Sequence, residues 1–319
     1  MPRILVLGEA LIDLFAGTGV SLRTTRAFQP TPGGAPANVA VALGKLGADV
    51  GFIGKVGQDE FGLWLRQFMA SQGVDVAYLE ADSRAPTMLA VVALPTPDNP
   101  QFILYNGANE LLTPDELPQQ AIAQAAVFIY GSVTLSTRSG EAALHAAHIA
   151  HQAGATVIFD VNLRPNLWPD LETARREIDR CLDSATIIKA NENEIQFLTG
   201  TDDLERGSAA LLERGAKVCC VSLGDQGAYF RTARAEGYVP AFKVSAIDAT
   251  GSGDAFVAGL ALQVAEWGKP LAALSYDELV AFIRFANGCG ALTTTVLGGM
   301  AGSPTLAAVQ NLIRTQPSL

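Results

Sequence analysis

The chain has 319 residues, room for one large α/β domain with an insertion or for about two domains of ~150 residues. With 49% hydrophobic and 17% charged residues it is not a disordered, collagen-like or coiled-coil chain. Lys and Arg number 22 against 32 Asp and Glu, a net charge of −10, so nucleic acid and anionic membrane are repelled on average and an anionic ligand must be held by local groups.

Met1-Pro2-Arg3 leads into an apolar run at 4–7 that is too short for a signal peptide. No apolar run approaches the ~18 residues of a membrane span, so a cytosolic protein is expected. Apolar β-type runs at 4–7, 50–53, 127–130, 157–160, 187–189 and 218–223 alternate with helical periodicity, as at 141–152. That alternation predicts a mostly parallel sheet covered by helices. Segments 13–32 and 84–108 break the rhythm. Within the second, 87–94 and 101–104 flank Pro95-Thr96-Pro97-Asp98-Asn99-Pro100 as a long-looped hairpin, and the two segments together predict a small β lid on a main domain of 1–12, 33–83 and 109–319. Leu167-Trp168-Pro169-Asp170 reads as a loop leading into a helix. Cys181, Cys219, Cys220 and Cys289 show no CxxC spacing and are expected as buried reduced thiols. His145, His148 and His151 share no single helix face and are expected on a solvated surface.

In open α/β sheets ligands bind beyond the carboxyl ends of the strands, and the residues after these runs are polar or Gly-rich. The strongest local signal is Asp248-Ala249-Thr250-Gly251-Ser252-Gly253-Asp254-Ala255-Phe256, followed by helix-compatible sequence from 257 to 265. A Gly-rich turn running into a helix leaves amides unpaired at the positive end of the dipole, an anion site that needs no basic side chain. Asp254 lies in that first turn, where the field is expected to keep its pKa low, leaving an ionised carboxylate that can take a hydroxyl proton. With a metal on the phosphates, these parts suffice for phosphoryl transfer. Gly33-Gly34-Ala35-Pro36-Ala37-Asn38 opens a second helix; its glycines permit close backbone approach, and Asn38 can donate and accept as a polyol hydroxyl requires. No Walker loop occurs, and the missing G-x-G-x-x-G turn and G-x-S-x-G elbow argue against dinucleotide-dependent and nucleophile-elbow chemistry.

In these two segments the chain resembles the ribokinase-like sugar kinases, also called the phosphofructokinase-B family. Asp160-Val161-Asn162-Leu163-Arg164, Lys189-Ala190-Asn191-Glu192-Asn193-Glu194, Ser222-Leu223-Gly224-Asp225-Gln226-Gly227, and Asn287 before Thr293-Thr294-Thr295 agree in order and spacing, so the resemblance covers nearly the whole chain. It implies a three-layer αβα sandwich with a mostly parallel central sheet and a small β-sheet lid. It also implies that Asp254 takes the proton of the sugar's primary hydroxyl while the amides of Gly251, Ser252 and Gly253 stabilise the transferred phosphoryl. Asn191 and Glu194 would organise Mg2+ and the phosphates, Glu194 through water, and Lys189 would reach the phosphates. Ser222, Gly224 and Gly227 would line ATP, with Asn287 near the adenine or ribose, and Asp248 and Thr250 would help hold a monovalent cation such as K+. Asp13, Gly33, Gly34, Asn38, Arg164 and, from the lid, Tyr105 would hold the sugar, with the lid closing to exclude water. Ser252 stands where the family usually has Ala; backbone contacts tolerate a hydroxymethyl, although it could crowd the terminal phosphate.

Leu7-Gly8-Glu9-Ala10-Leu11-Ile12-Asp13 and the stretch from Phe285 to Thr295 are similar to the fructokinase branch, which makes fructose the leading substrate and fructose 6-phosphate its product. The alternative is 2-keto-3-deoxygluconate. Its carboxylate wants a second cation; no Arg lies between Gln101 and Asn109, so Arg84 would have to supply the charge. A regulatory protein that binds sugar or nucleotide without turnover would need a broken catalytic position, and Asp254 with its glycines is intact. Apolar Phe102 and Ile103 on the lid would be served by pairing with a second subunit's lid, and a homodimer is the family-based expectation.

Overall fold

The computed structural model describes residues 3–96 and 99–317. Its strands, in chain order, are β1 (Ile4–Leu7), β2 (Leu11–Thr18), β3 (Gln29–Gly33), β4 (Val50–Gly57), β5 (Val74–Asp82), β6 (Leu89–Thr96), β7 (Asn99–Tyr105), β8 (Val127–Gly131), β9 (Thr156–Asp160), β10 (Ile187–Asn191), β11 (Val218–Ser222), β12 (Ala228–Thr232) and β13 (Glu236–Val239). Among the described residues, nine strands form one sheet in the order β13-β12-β11-β10-β9-β8-β1-β4-β5. β1 is parallel to both neighbours, Ile4 standing opposite Val50 on one side and Val127 on the other. The pairings from β11 across to β5 are parallel, and β12 and β13 add an antiparallel hairpin.

The apolar runs are continuous because both faces of this sheet are covered. Ile4 and Val6 pack with the helices Ala35–Lys45, Ser252–Trp267 and Tyr276–Thr293. Leu5 and Leu7 pack on the opposite face with Gly140–Gln152, Leu171–Leu182 and Leu204–Glu213. Period-two alternation therefore feeds two separate cores and produces the three-layer αβα sandwich. Strand order reverses between β8 and β1, and beyond their carboxyl ends, where Gly8-Glu9 and Ser132 emerge, lies the crevice in which sheets of this kind accommodate ligands.

A second sheet of four strands, β3-β2-β6-β7, stands on this rim. The expected hairpin is β6–β7, with Leu89 opposite Tyr105 and Val91 opposite Ile103; Pro97 and Asp98 of its loop lie outside the described residues. β2 and β3 join it from residues 11–33, a span that takes in Leu11, Ile12 and Gly33 on either side of segment 13–32, so the lid is four-stranded rather than a two-stranded ribbon. On its edge strand β7, Phe102, Ile103 and Tyr105 are 42%, 43% and 56% exposed.

All four cysteines are buried and unpaired, and His145, His148 and His151 are exposed on their helix. The loop at 167–170 leads into the Leu171–Leu182 helix, where the Thr173 amide donates to Asp170 at 2.7 Å. Among the described residues no helix is long and apolar enough to cross a membrane. β5, β12 and β13 are additional to the apolar runs: β5 is an edge strand with most side chains partly exposed, and β12–β13 closes the other edge.

Candidate active site

The helix expected to open at the Gly-rich turn runs Ser252–Trp267, with Asp254 in its first turn and Gly251 as its N-cap in the left-handed conformation at φ 76°. Only glycine fits easily there, because a Cβ would also lie 2.5 Å from the Gly299 Cα. The Ser252 amide donates to the Ala249 carbonyl at 3.2 Å, and the Ala255 amide to Gly251 at 2.9 Å. Between them, the Gly253 and Asp254 amides have no backbone acceptor among the described residues, as the first turn of a helix requires. The Ser252 hydroxyl donates to the Gly290 carbonyl at 3.2 Å, so it faces the neighbouring helix rather than the anion position.

Asp254 Oδ2 accepts a hydrogen bond from Asn38 Nδ2 at 2.7 Å. Asn38 sits in the first turn of the Ala35–Lys45 helix, whose N-cap Gly34 has φ 103° and whose Cβ would come within 2.5 Å of the Glu9 carbonyl oxygen. Among the described residues Asn38 Oδ1 has no hydrogen-bond partner and is buried, leaving one acceptor beside Asp254. The low pKa expected for Asp254 is reversed: burial, and then the Asp160 carboxylate, push it up to about 6, against the opposing pull of Asn38, Lys189 and Arg164. The helix dipole loses to desolvation because the carboxyl is enclosed rather than solvated.

Lys189, on β10, is buried with Nζ 3.1 Å from Asp160 Oδ1 and faces Gly253, whose Cβ would lie 3.1 Å from the ammonium. Burial works to discharge Lys189, but Asp160, Glu194 and Asp254 outweigh it and raise its pKa. Three carboxylates thus face one ammonium, a surplus of negative charge that suits a further cation. Glu194 accepts from the Leu163 amide at 2.9 Å and the Asn191 amide at 2.8 Å, while Asn191 Oδ1 accepts from the Glu194 amide at 2.9 Å. This reciprocal cap seats both residues at a helix start just beyond β10. Burial raises the Glu194 pKa, opposed chiefly by Lys189. Among the described residues no three His, Cys, Asp or Glu side chains gather as a ready metal shell.

On the lid flank, Asp13 lies on β2 against Gly33, where a side chain would collide with its carboxylate, and burial pushes Asp13 up to about 6. Arg164 is exposed next to Leu163, close enough for its charge to lower the Asp254 pKa. Tyr105 ends β7 on the lid. On the other side, Ser222 donates to the Ala190 carbonyl at 3.3 Å. Gly224 and Gly227 both have positive φ, and a Cβ on Gly227 would lie 2.6 Å from the Ala241 amide nitrogen. Asn287 Nδ2 donates to Val239 at 2.9 Å and Pro240 at 3.2 Å, so Gly227 and Asn287 brace the same wall. Behind the Gly251 turn, Asp248 accepts from the Thr250 amide at 2.9 Å and the Gly298 amide at 2.8 Å; these bonds outweigh burial and lower its pKa. Thr250 is exposed.

One cluster therefore unites Asp254, Asn38, Gly253, Lys189 and Glu194, with the Ser222-to-Asn287 wall on one flank and Asp13, Gly33 and Gly34 on the other. Three further residues belong to it. Asp160 pairs with Lys189, Gly299 touches both Gly251 and Asn38, and Glu9 is a buried carboxyl, pushed up by burial to about 7, that accepts from Thr134 at 3.0 Å. Asp160 and Glu9 lie within motif segments, and the Gly298-Gly299 pair was the available signal for a close backbone contact.

An acidic group at an open helix N-terminus, on the rim of a mostly parallel αβα sandwich with a β lid, defines a phosphotransferase of the ribokinase-like class. Residues 1–306 match the model of the pfkB family of carbohydrate kinases. The chain is 43% identical over 315 residues to fructokinase-1 of Zea mays, covering 97% of each, and 41% identical over 317 residues to fructokinase-1 of Oryza sativa subsp. japonica, covering 98% of each. The crystal structure of fructokinase with bound ATP from Xylella fastidiosa superposes with a TM-score of 0.91 at 33% identity over 99% of both chains. That of a double mutant of Vibrio cholerae O395 fructokinase in its fructose, ADP and potassium ion bound form gives 0.85 at 30% identity over 98% of both. The chain belongs to the pfkB family of carbohydrate kinases.

Proposed function

We propose that this chain transfers the γ-phosphoryl of Mg-ATP to a primary hydroxyl of fructose, giving fructose 6-phosphate and ADP. The observation that carries the reading is the Asp254 carboxylate, fixed by Asn38 on the sugar side at the point where the unpaired Gly253 and Asp254 amides open. Asp254 takes the hydroxyl proton as the oxygen bonds to phosphorus and the bond between that phosphorus and the oxygen bridging to ADP breaks. At a pKa of about 6 the carboxylate is mostly ionised at neutral pH, yet basic enough to hold the proton it receives. The open amides, with Gly251 setting the turn, and Lys189 receive the charge of the transferred group. Ser252 contributes its turn geometry, and its hydroxyl leaves room for phosphate.

Glu194 and Asn191, through water, and the surplus negative charge around Lys189 would hold Mg2+, which neutralises phosphate charge when bound. Asp248 and Thr250 are the proposed seat of K+, in keeping with the potassium named for the Vibrio cholerae fructokinase. Ser222, Gly224, Gly227 and Asn287 are the proposed nucleotide wall; Asp13, Gly33, Gly34, Asn38, Arg164 and Tyr105 are the proposed sugar contacts. Arg84 supports a neutral sugar over 2-keto-3-deoxygluconate, because its Nε and NH2 groups are engaged by Asp82 at 2.5 to 3.1 Å. The exposed apolar edge of β7 supports a homodimer through the lid, and four unpaired cysteines fit a cytoplasmic enzyme. An ADP-release assay with Mg-ATP and fructose, 2-keto-3-deoxygluconate, ribose or adenosine tests the reading. The highest kcat/KM is expected with fructose; a preference for the acid sugar would refute it.

A further inference from the structure

The segment after the Tyr276–Thr293 helix ties together the two halves of the site. At its start the Thr294 carbonyl accepts from the Ile247 and Asp248 amides at 2.8 and 3.1 Å, and the Gly298 amide donates to Asp248 Oδ2 at 2.8 Å. These bonds fasten it to the turn that carries Gly251. Gly299 then passes between the halves: a Cβ on it would lie 2.9 Å from Asn38 Nδ2, and a Cβ on Gly251 would lie 2.5 Å from its Cα. One backbone position therefore sets the spacing between the side chain that orients Asp254 and the turn that opens the anion-binding amides.

The far end is held from the sugar side. Lys45, in the last turn of the helix that carries Asn38, directs Nζ to the carbonyls of Met300 and Ala301, each at 3.2 Å. Among the described residues no carboxylate lies within ion-pair distance of Lys45, so this ammonium is committed to two main-chain oxygens. A lysine fixed on paired carbonyls at the end of a short helical turn meets their negative partial charge and fixes where that turn sits. Met300 beside it is buried in the core, a further anchor for the segment.

We propose that Lys45 is a positioning residue for phosphoryl transfer: it clamps residues 298–301 against the Asn38 helix so that Gly299 holds Asn38 and Gly251 at a fixed spacing. Lys45 touches neither reactant. This assignment rests on the kinase reading given above, since the two groups it aligns are those on which transfer depends. Loss of the clamp lets the acceptor side and the phosphate side drift apart, a sub-ångström error that slows transfer more than it weakens either ligand.

The test compares Lys45→Met, which keeps most of the stem and removes the donors, with Lys45→Arg, which keeps them. Lys45→Met is expected to lower kcat about tenfold, with ADP affinity by calorimetry within about twofold of wild type and Tm within a few degrees, and Lys45→Arg is expected to recover most of the loss. Gly299→Ala, which crowds Asn38 directly, is expected to lower kcat similarly, and adding Lys45→Met to it should cost little more, because both act on one spacing. Wild-type kcat in Lys45→Met, a loss that Lys45→Arg does not recover, or losses that multiply in the double variant would each overturn the proposal. Should Lys45→Met not fold, Lys45→Gln, with one donor left, is judged by the same criteria. Rates are compared with whichever sugar the wild type phosphorylates, so a wrong substrate shows in the wild type and a wrong role for Lys45 only in the variants.

Discussion

The two long helices whose N-caps are Gly34 and Gly251 begin differently. At Gly34 the positive helix end offers less: Pro36 has no amide hydrogen, the Asn38 amide already donates to Gly34 at 2.8 Å, and the buried Glu9 carboxyl lies beside the Ala35 amide. At Gly251 the Gly253 and Asp254 amides stay open, and an ammonium and a carboxylate converge beside them. The first start presents a side chain, Asn38; the second presents main-chain charge. Similar glycine-rich sequence thus presents a side chain in one place and open amides in the other, and neighbouring residues decide which.

Removing the carboxylate from the open end breaks this contrast most severely. Asp254→Asn keeps the shape and is expected to cut turnover at least ~100-fold while ATP affinity stays near normal, read by single-turnover kinetics and calorimetry. The same substitution is expected to stabilise the fold. The pKa of Asp254 rises on folding from 3.8 to about 6, so folding disfavours its charged form. Its contribution to stability is fully present below pH 3.8 and is lost as pH rises through about 6. Asp254→Asn should therefore melt above wild type at pH 8, with the gap closing by about pH 4; equal melting temperatures at both pH values would contradict the buried setting of the carboxylate.

Smaller effects sharpen the comparison. Gly34→Ala meets both a positive φ and the Glu9 carbonyl, and is expected to cost about 1–3 kcal/mol of stability along with sugar affinity, seen in denaturant titration and in KM. Gly253→Ala has no such strain and meets only the flexible end of Lys189; it is expected to spare the melting temperature and lower turnover by about tenfold. A reversal of that pair would mean that the two helix starts have been assigned the wrong way round. Smallest is Ser252→Ala, which removes the bond to Gly290, with turnover expected within about threefold of wild type and a stability loss near 1 kcal/mol.

What the residue pattern revealed was whatever local chemistry decides. The run Ile4–Leu7 reads as a strand because all four side chains are buried, two on each face of the sheet, and the Gly251 turn reads as an anion site because only glycine takes φ 76° easily there. What escaped it depends on residues distant in the chain. The dipole argument for a low Asp254 pKa failed because burial by the surrounding layers and the Asp160 carboxylate, on a strand distant in the chain, cannot be read beside residue 254. The contacts of Gly299 with Asn38 and Gly251 join three separate segments. β12 and β13 are short strands at one end of the sheet, and no long apolar run marks them.

The central claim is that Asp254, raised to about 6, accepts the sugar proton. The most direct test is the pH dependence of kcat/KM for fructose at saturating Mg-ATP, in wild type and in the residual activity of Asp254→Asn. Wild type is expected to lose activity about tenfold per pH unit below an apparent pKa near 6, and the variant to lack that inflection. A flat wild-type profile from pH 5 to 8, or an inflection that persists in Asp254→Asn, would contradict the assignment.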